Sequence, residues 1–374
     1  MLKLPGNLDA EQFLARHWQK KPLLMPQAVD KLRPAVTRNE LAWLATLDDV
    51  ESRIVFTDRS HDRVRYRAET GPFDEEFLAA LPARDWTLLV HDVEKHLPTM
   101  RRLFDLIPFI PDWRIDDLMV SFAAPGGGVG PHRDNYDVFL CQGIGVREWH
   151  VTSDDVANDP HASDDLALTT EFTGEISHEC RNGDVLYLPP GVAHWGTAHR
   201  ACLTYSIGMR APQVSDLAET LPDAERDDVF YTDENLQAGE ARPGYISEIA
   251  AHRAVQVSGA GDSGLEQMTQ ALGRFATETK QWITPVSPDK SELGEIVAAL
   301  EAGKTLRIHG MTRIAWSDDA VFVNGGSTER PPGSRQVLEN LCAQRKLQLP
   351  SDAAPAWHGM AAWMAKRGAF EYVK

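Results

Sequence analysis

The chain has 374 residues, 43% of them hydrophobic and 25% charged, a balance that excludes a largely disordered protein and at this length predicts two or three domains. No apolar run approaches the roughly 18 residues a membrane-spanning helix needs, and the first nine residues lack the apolar stretch of a secretory signal. Asp and Glu outnumber Lys and Arg by 55 to 38, giving a net charge of −17, which disfavours generic nucleic-acid binding and would draw in a basic protein.

Residues 1–212 consist of short apolar runs separated by Gly, Pro and Asp. Their periodicity predicts helices at 8–19, 39–47, 74–81 and 99–106. Strands are predicted at 53–57, 63–68, 87–91, 118–124, 136–142, 146–151, 166–172, 184–188 and 201–209. Many short strands with turn signals between them read as a sandwich or barrel.

Over 213–285 the pattern becomes helical, following an acidic connector over 211–244. A helix over 265–282 carries Met268, Leu272, Phe275 and Trp282 at apolar positions and is stopped by Pro285. Residues 286–374 read as a winged-helix-like module. It has a helix at 291–300, a strand at 305–309, a hairpin of 312–316 with 320–324, and closing helices at 335–342 and 357–367. Trp357, Trp363, Phe370 and Tyr372 are its expected core. From 286 onward eleven Lys and Arg face ten Asp and Glu, so a basic, nucleic-acid-reading stripe is weak and a structural or dimer-supporting role is expected. The four cysteines, Cys141, Cys180, Cys202 and Cys342, form no C-x-x-C pair. That argues against a zinc ribbon or disulfide scaffold and fits a reducing cytoplasm.

The chemistry concentrates in residues 116–142, DDLMVSFAAPGGGVGPHRDNYDVFLCQ. His132 and Asp134, two apart where a strand begins, point to one face of an extended chain. His194 follows sixty residues after Asp134, behind a Pro-Pro-Gly turn. Two imidazoles and one carboxylate on facing strands make a facial triad, which holds Fe(II) with three adjacent positions open for a bidentate co-substrate and O2. Four protein ligands would instead close the site, as in structural zinc.

Alternation places Tyr136 on the face of His132 and Asp134, groups Asp117, Met119 and Ser121, pairs Arg147 with Trp149, and aligns Thr204, Ser206 and Arg210. A guanidinium inside a barrel is costly without an anion. Arg147 is therefore expected to grip the distal carboxylate of a small diacid, with Ser121 or Thr204 adding a hydroxyl. Gly126–Gly130 lacks the lysine and helix of a P-loop and reads as a strained turn delivering His132. His150, His178 and His199 read as surface or hydrogen-bonded histidines, and Cys141 and Cys202 as small buried residues.

With PGGGVGPHRDNYDVF, LPPGVAHWG and YSIGMRAP in hand, the chain resembles the bacterial ribosomal oxygenases over essentially its whole length. These are JmjC-type, cupin-fold, 2-oxoglutarate-dependent enzymes that hydroxylate an arginine of large-subunit ribosomal protein sixteen. The resemblance implies a mainly β double-stranded β-helix, the cupin or JmjC jelly roll, with flanking helices, an α-helical dimerisation region and the winged-helix-like C-terminal module. It implies Fe(II), 2-oxoglutarate and O2 as cofactors and a basic ribosomal protein as partner. It puts the iron ligands on His132, Asp134 and His194, the 2-oxoglutarate arginine on Arg147 and a co-substrate contact on Ser121. Asp117, Tyr136 and Ser206 match the pocket for the substrate arginine, hydroxylated at its β-carbon. Other readings of the same barrel are a histidine hydroxylase or a methyl-lysine demethylase. A reading of another class is a non-catalytic ribosome- or RNA-binding protein.

Overall fold

Alternation of small or polar residues with large apolar ones gives strands that can line a cavity on one side and pack a core on the other. The structure, a computed structural model, describes every residue except 31, 33–35, 61–62, 219–228, 259–263, 284, 351–352 and 372–374. Tyr372 and part of the acidic connector therefore lie outside the described residues. The chain divides into two compact units, the first comprising Met1–Ile107, Asp116–Met209 and Glu234–Leu236.

In the first unit the strands are β1 (Leu23–Met25), β2 (Ser52–Asp58), β3 (Arg65–Thr70), β4 (Trp86–Val90), β5 (Ile115–Ala123), β6 (Val138–Gln142), β7 (Val146–Thr152), β8 (Ile176–Cys180), β9 (Val185–Leu188), β10 (Ala193–Arg200) and β11 (Cys202–Met209). Eight of them form one sheet in the order β1-β9-β6-β11-β5-β4-β2-β3, and the remaining three form β10-β7-β8. Two antiparallel sheets of this order make the double-stranded β-helix that was expected. β6 and β9 of the large sheet pack Val138, Leu140, Leu186 and Leu188 against Trp149, Val151 and Cys180 of the small one. Val138, Leu140 and Trp149 of that core also form part of the wall of a cavity between the sheets.

Short helices flank the sheets: α1 (Ala10–Arg16), α2 (Arg38–Leu44), α3 (Glu75–Ala79) and α4 (Val93–His96). α1 begins at a capping box between Asp9 and Gln12 and buries Phe13 edge-on against Tyr187 of β9, ring centroids 5.1 Å apart. Tyr187 Oη donates to Asp137 at 2.6 Å, and Gln19 Nε2 donates to its other oxygen at 2.9 Å. The fully buried Asp137 thus fixes the segment that carries His132 and Asp134.

The second unit holds Pro108–Ile115, Arg210–Asp233 and Gln237–Lys374. Its helices α5 (Val214–Ala218), α6 (Glu248–Ser258) and α7 (Leu265–Thr277) enclose Ala250, Met268 and Leu272 with Phe322. A Cβ on Gly273 would stand 2.3 Å from the Phe322 ring, so only glycine lets α7 approach there. The C-terminal part has the winged-helix composition: α8 (Lys290–Glu301), β12 (Leu306–Arg307), β13 (Ile314–Trp316), β14 (Ala320–Val323), β15 (Gly326–Glu329), α9 (Arg335–Gln344), β16 (Lys346–Leu347) and α10 (Pro355–Lys366). β13-β14-β15 form one sheet and β12-β16 another. Phe370 lies in the core, with Trp357 and Trp363 packed against it.

Several elements differ from expectation. The predicted helix at 99–106 is a 3-10 helix, Pro98–Leu106. The predicted strand at 166–172 is a loop with a single bridge, Thr169 to Asn158. Its apolar residues pack on Tyr66 and Val55 instead of pairing in a ladder. The helix expected to reach 282 ends at Thr277. β1, β8 and β10 were not anticipated, and α6 lies in the region expected to be helical without having been placed individually. β1 has three residues, β8 (ISHEC) is a polar edge strand, β10 (AHWGTAHR) has little apolar alternation, and α6 (EIAAHRAVQVS) has a weak apolar stripe.

A candidate iron and 2-oxoglutarate site

Period-two alternation on six strands converges on a cavity of about 320 Å³ inside the first unit. Its walls include His132, Asp134 and His194, with Arg147 and Trp149 from β7 and Asp117 and Ser121 from β5. The Gly-rich turn before His132 uses the left-handed region at Gly126 (φ +82°) and Gly130 (φ +83°). A Cβ on Gly130 would meet Leu168 at 2.9 Å and Tyr66 at 3.1 Å, so the tight turn and the close approach both require glycine.

His132 is not on a regular strand. β6 begins only at Val138, and His132 is placed by a two-way backbone bridge to His194 of β10, 3.0 and 2.9 Å. The two rings lie 4.2 Å apart, centroid to centroid. His132 Nε2 is 3.8 Å from one Asp134 oxygen and His194 Nε2 is 3.6 Å from the other. One ligand atom from each of the three residues falls within 4.8 Å of the others.

Each ring's Nδ1 lies 3.0 Å from a backbone carbonyl, Gly130 O for His132 and Val192 O for His194. A carbonyl only accepts, so Nδ1 carries the proton and Nε2 presents its lone pair toward the centre. Burial, and then the neighbouring His132, push His194 down to about 4, which keeps it a neutral ligand. The donor set therefore fits a divalent iron with open positions.

Arg147 is buried, with 5% of its surface exposed. Its Nη1 reaches Ser121 Oγ at 3.5 Å, while Nε and Nη2 have no hydrogen-bond partner among the described residues. Trp149 lies under the guanidinium, 5.3 Å from the ring centroid. An ionised group in this state costs several kcal/mol unless an anion meets it, by general estimates of about 3–5 kcal/mol for a broken buried pair. Two unmatched N–H groups of one guanidinium suit one carboxylate.

Asp117, Tyr136 and Ser206 also line the cavity, as predicted. Tyr136 is 40% exposed at the mouth. Burial of its hydroxyl, then the Asp134 carboxylate, push the phenol well above its ordinary range. Thr204 departs from expectation. It shares the face of Ser206 but sits two residues away along the strand, opposite Gln142, and its hydroxyl donates to Gln142 Oε1 at 3.2 Å. It is not among the cavity-lining residues. Arg210, expected on the same face, belongs to the second unit and donates to the carbonyls of Phe275 and Glu278.

Sequence reading missed Glu51, Arg53 and His91 at the cavity wall. The signal was available, since Glu51-Arg53-Val55 and Thr87-Leu89-His91 each alternate along their strands. Of the histidines read as ordinary, His199 is exposed and pairs with Glu148 at 2.8 Å, and His150 stacks on Trp195 at 5.0 Å. His178 stands 3.9 Å from Asp184. Cys141 is buried, and that burial pushes its thiol up to about 12.

Comparison with known proteins matches residues 102–217 to a JmjC domain and residues 261–360 to a ROXA-like winged helix. The ribosomal protein uL16 3-hydroxylase of Escherichia coli K12 is 33% identical over 345 residues, 90% of this chain and 89% of that protein. The X-ray structure of E. coli YcfD superposes with a TM-score of 0.78 at 30% identity, covering all of both chains. The YcfD ribosomal oxygenase has also been solved in complex with cobalt and 2-oxoglutarate, and that structure gives a TM-score of 0.75 at 30% identity over the full length of both.

Proposed function

The chain belongs to the JmjC-domain ribosomal oxygenases, and on that premise we propose that it hydroxylates the β-carbon of an arginine in ribosomal protein uL16. It is an Fe(II)- and 2-oxoglutarate-dependent oxygenase. The observation that carries the reading to particular residues is Arg147, buried beside the His132–Asp134–His194 cluster with two unmatched N–H groups.

In our reading His132, Asp134 and His194 hold the iron through two Nε2 atoms and a carboxylate oxygen. Arg147 takes the far carboxylate of 2-oxoglutarate, and Ser121 supports it from the side. Bound together, metal and co-substrate supply the oxidising power: the 2-oxo acid loses CO2 to become succinate, and one atom of O2 enters the substrate C–H bond. The protein's own work is orientation. The Nδ1 bonds to Gly130 O and Val192 O hold each imidazole in one tautomer and one orientation. Val138, Leu140 and Leu168 present apolar walls that keep water from the reacting centre. Asp117 receives the substrate guanidinium, with Tyr136 and Ser206 beside it, which brings the target carbon toward the metal. Thr204, turned to Gln142, is left out of the co-substrate site.

A carboxylate in the pocket favours a cationic guest over a neutral imidazole, which supports arginine over histidine. The acidic surface suits a basic ribosomal protein, and the nearly balanced C-terminal module supports a protein rather than a nucleic-acid partner. We propose further that residues 213–285 support a homodimer, as a region between the barrel (1–212) and the winged-helix module (286–374), and that the enzyme works in the cytoplasm. Incubation of purified uL16 with the protein, Fe(II) and 2-oxoglutarate tests the main reading. The expected product is uL16 heavier by one oxygen atom, localised to an arginine by fragmentation, with succinate formed alongside. Loss of mass on a methylated lysine, or an oxygen on histidine, would contradict it.

A further inference from the structure

His91 stands one residue past β4, at the cavity wall and across from Asp117. Its Nδ1 lies 3.0 Å from Asp117 Oδ2, and the backbone N–H of Asp92 donates to the same oxygen at 3.2 Å. A carboxylate oxygen accepts, so Nδ1 carries the proton of this pair. The other oxygen, Oδ1, is on the side of Gly208, where a Cβ would come within 3.3 Å of it. Glu94, three residues on, accepts the N–H of Leu118 at 2.9 Å. The stretch 91–94 therefore grips two successive residues of β5, and it is itself anchored by the buried pair of Asp92 with Lys95.

We propose that His91 is a positioning residue: it locks the plane of the Asp117 carboxylate so that the pocket takes a planar guanidinium in preference to an ammonium. The inference rests on the reading above, in which Asp117 receives the substrate's cation. A carboxylate that turns about its own bond can meet a point charge from many directions. One held by two donors on Oδ2 presents a fixed plane, and a fixed plane rewards a ligand whose N–H groups are themselves coplanar. Gly208 lines the same cavity and sets no side chain against Oδ1, where a Cβ would stand 3.3 Å from it. Histidine suits this position because a ring attached at Cβ holds its Nδ1 donor close to the backbone, with little freedom to swing away.

The test uses the full chain with Fe(II), 2-oxoglutarate and uL16. His91→Leu removes the donor and keeps an apolar side chain of similar reach. His91→Asn places an amide donor near the Nδ1 position. Loss of a charge-assisted hydrogen bond is expected to raise KM for uL16 by about tenfold or more in His91→Leu. More succinate should also form per hydroxylated arginine, because the target carbon is held less well. KM for 2-oxoglutarate should stay within about twofold of wild type, since a lost donor at the guest pocket does not act at the co-substrate end. His91→Asn should recover most of the loss in both readouts. Melting temperatures of both variants identify any general loss of structure. An unchanged KM for uL16 in His91→Leu overturns the inference while leaving the functional reading intact, as do equal losses in the Leu and Asn variants. A wild type that leaves uL16 unmodified overturns both.

Discussion

β7 and β10 carry charged and aromatic residues on both faces, and the two faces have opposite character. On the outer face Glu148 pairs with His199, while His150 stacks on Trp195. His199 Nε2 lies 2.8 Å from Glu148, its Nδ1 lies 3.2 Å from Glu179, and His150 Nε2 lies 3.6 Å from Glu148. On the inner face Arg147 and His194 are buried, and Nε and Nη2 of the guanidinium have no hydrogen-bond partner among the described residues. The outer face holds exposed ion pairs and a stacked ring, and the inner face holds a buried cation with no anion beside it among the described residues. Spacing alone does not separate them; the burial of an unmatched charge does.

The largest expected break between the two faces is at the metal cluster. His132→Ala or His194→Ala should abolish both iron-dependent succinate formation and stoichiometric metal uptake, measured by equilibrium dialysis. His199→Ala should leave turnover within about twofold of wild type, because an exposed pair contributes roughly 0–1 kcal/mol. Equal losses on both faces would erase the distinction.

A second prediction concerns a buried carboxyl behind the pocket. Burial is the main cause that pushes Glu94 up to about 7. In the unfolded chain it titrates near the ordinary carboxyl value, so between pH 4.5 and 7 the folded state holds a proton the unfolded state has lost. Stability therefore falls as pH rises through that window, by up to about 3 kcal/mol from this group. Glu94→Gln stays neutral and can still accept from Leu118. Its melting temperature relative to wild type should rise between pH 5 and pH 8; a difference independent of pH would contradict the assignment.

The smallest effects sharpen the co-substrate end. Ser121→Ala, which removes the hydroxyl 3.5 Å from Arg147, should raise KM for 2-oxoglutarate by roughly threefold to tenfold, the range for one hydrogen bond. Thr204→Val, whose hydroxyl serves Gln142, should change that KM by less than about twofold. Titration of succinate release against 2-oxoglutarate separates the two, and a larger effect at Thr204 would return it to the site.

Much of this arrangement was legible in the chain. The catalytic strands have strong alternation, and the glycines of residues 126–130 mark a turn that only glycine accommodates. Arg147 was identifiable as an inward cation from its register with Trp149. What stayed hidden has physical reasons. β10 carries the metal-binding histidine as its second residue and Gly196 as its fourth, so its apolar signal is weak. The 166–172 segment alternates like a strand, yet Thr169 N donates to Pro131 O instead of to a neighbouring strand. The facing of His132 with His194 comes from a bridge between segments about sixty residues apart, which local periodicity does not encode. Thr204 has the right face but the wrong height along the strand, and height depends on the pairing with Gln142.

The most direct measurement is the dependence of succinate release on 2-oxoglutarate in wild type and Arg147→Met, combined with melting of each without ligand. Replacing the guanidinium by an apolar chain should raise KM for 2-oxoglutarate by about a hundredfold or more, in line with the 3–5 kcal/mol typical of a broken buried ion pair. It should also raise the melting temperature of the ligand-free protein, because an unmatched buried charge is gone. An unchanged KM together with a lowered melting temperature would mean that Arg147 serves the fold and not the co-substrate.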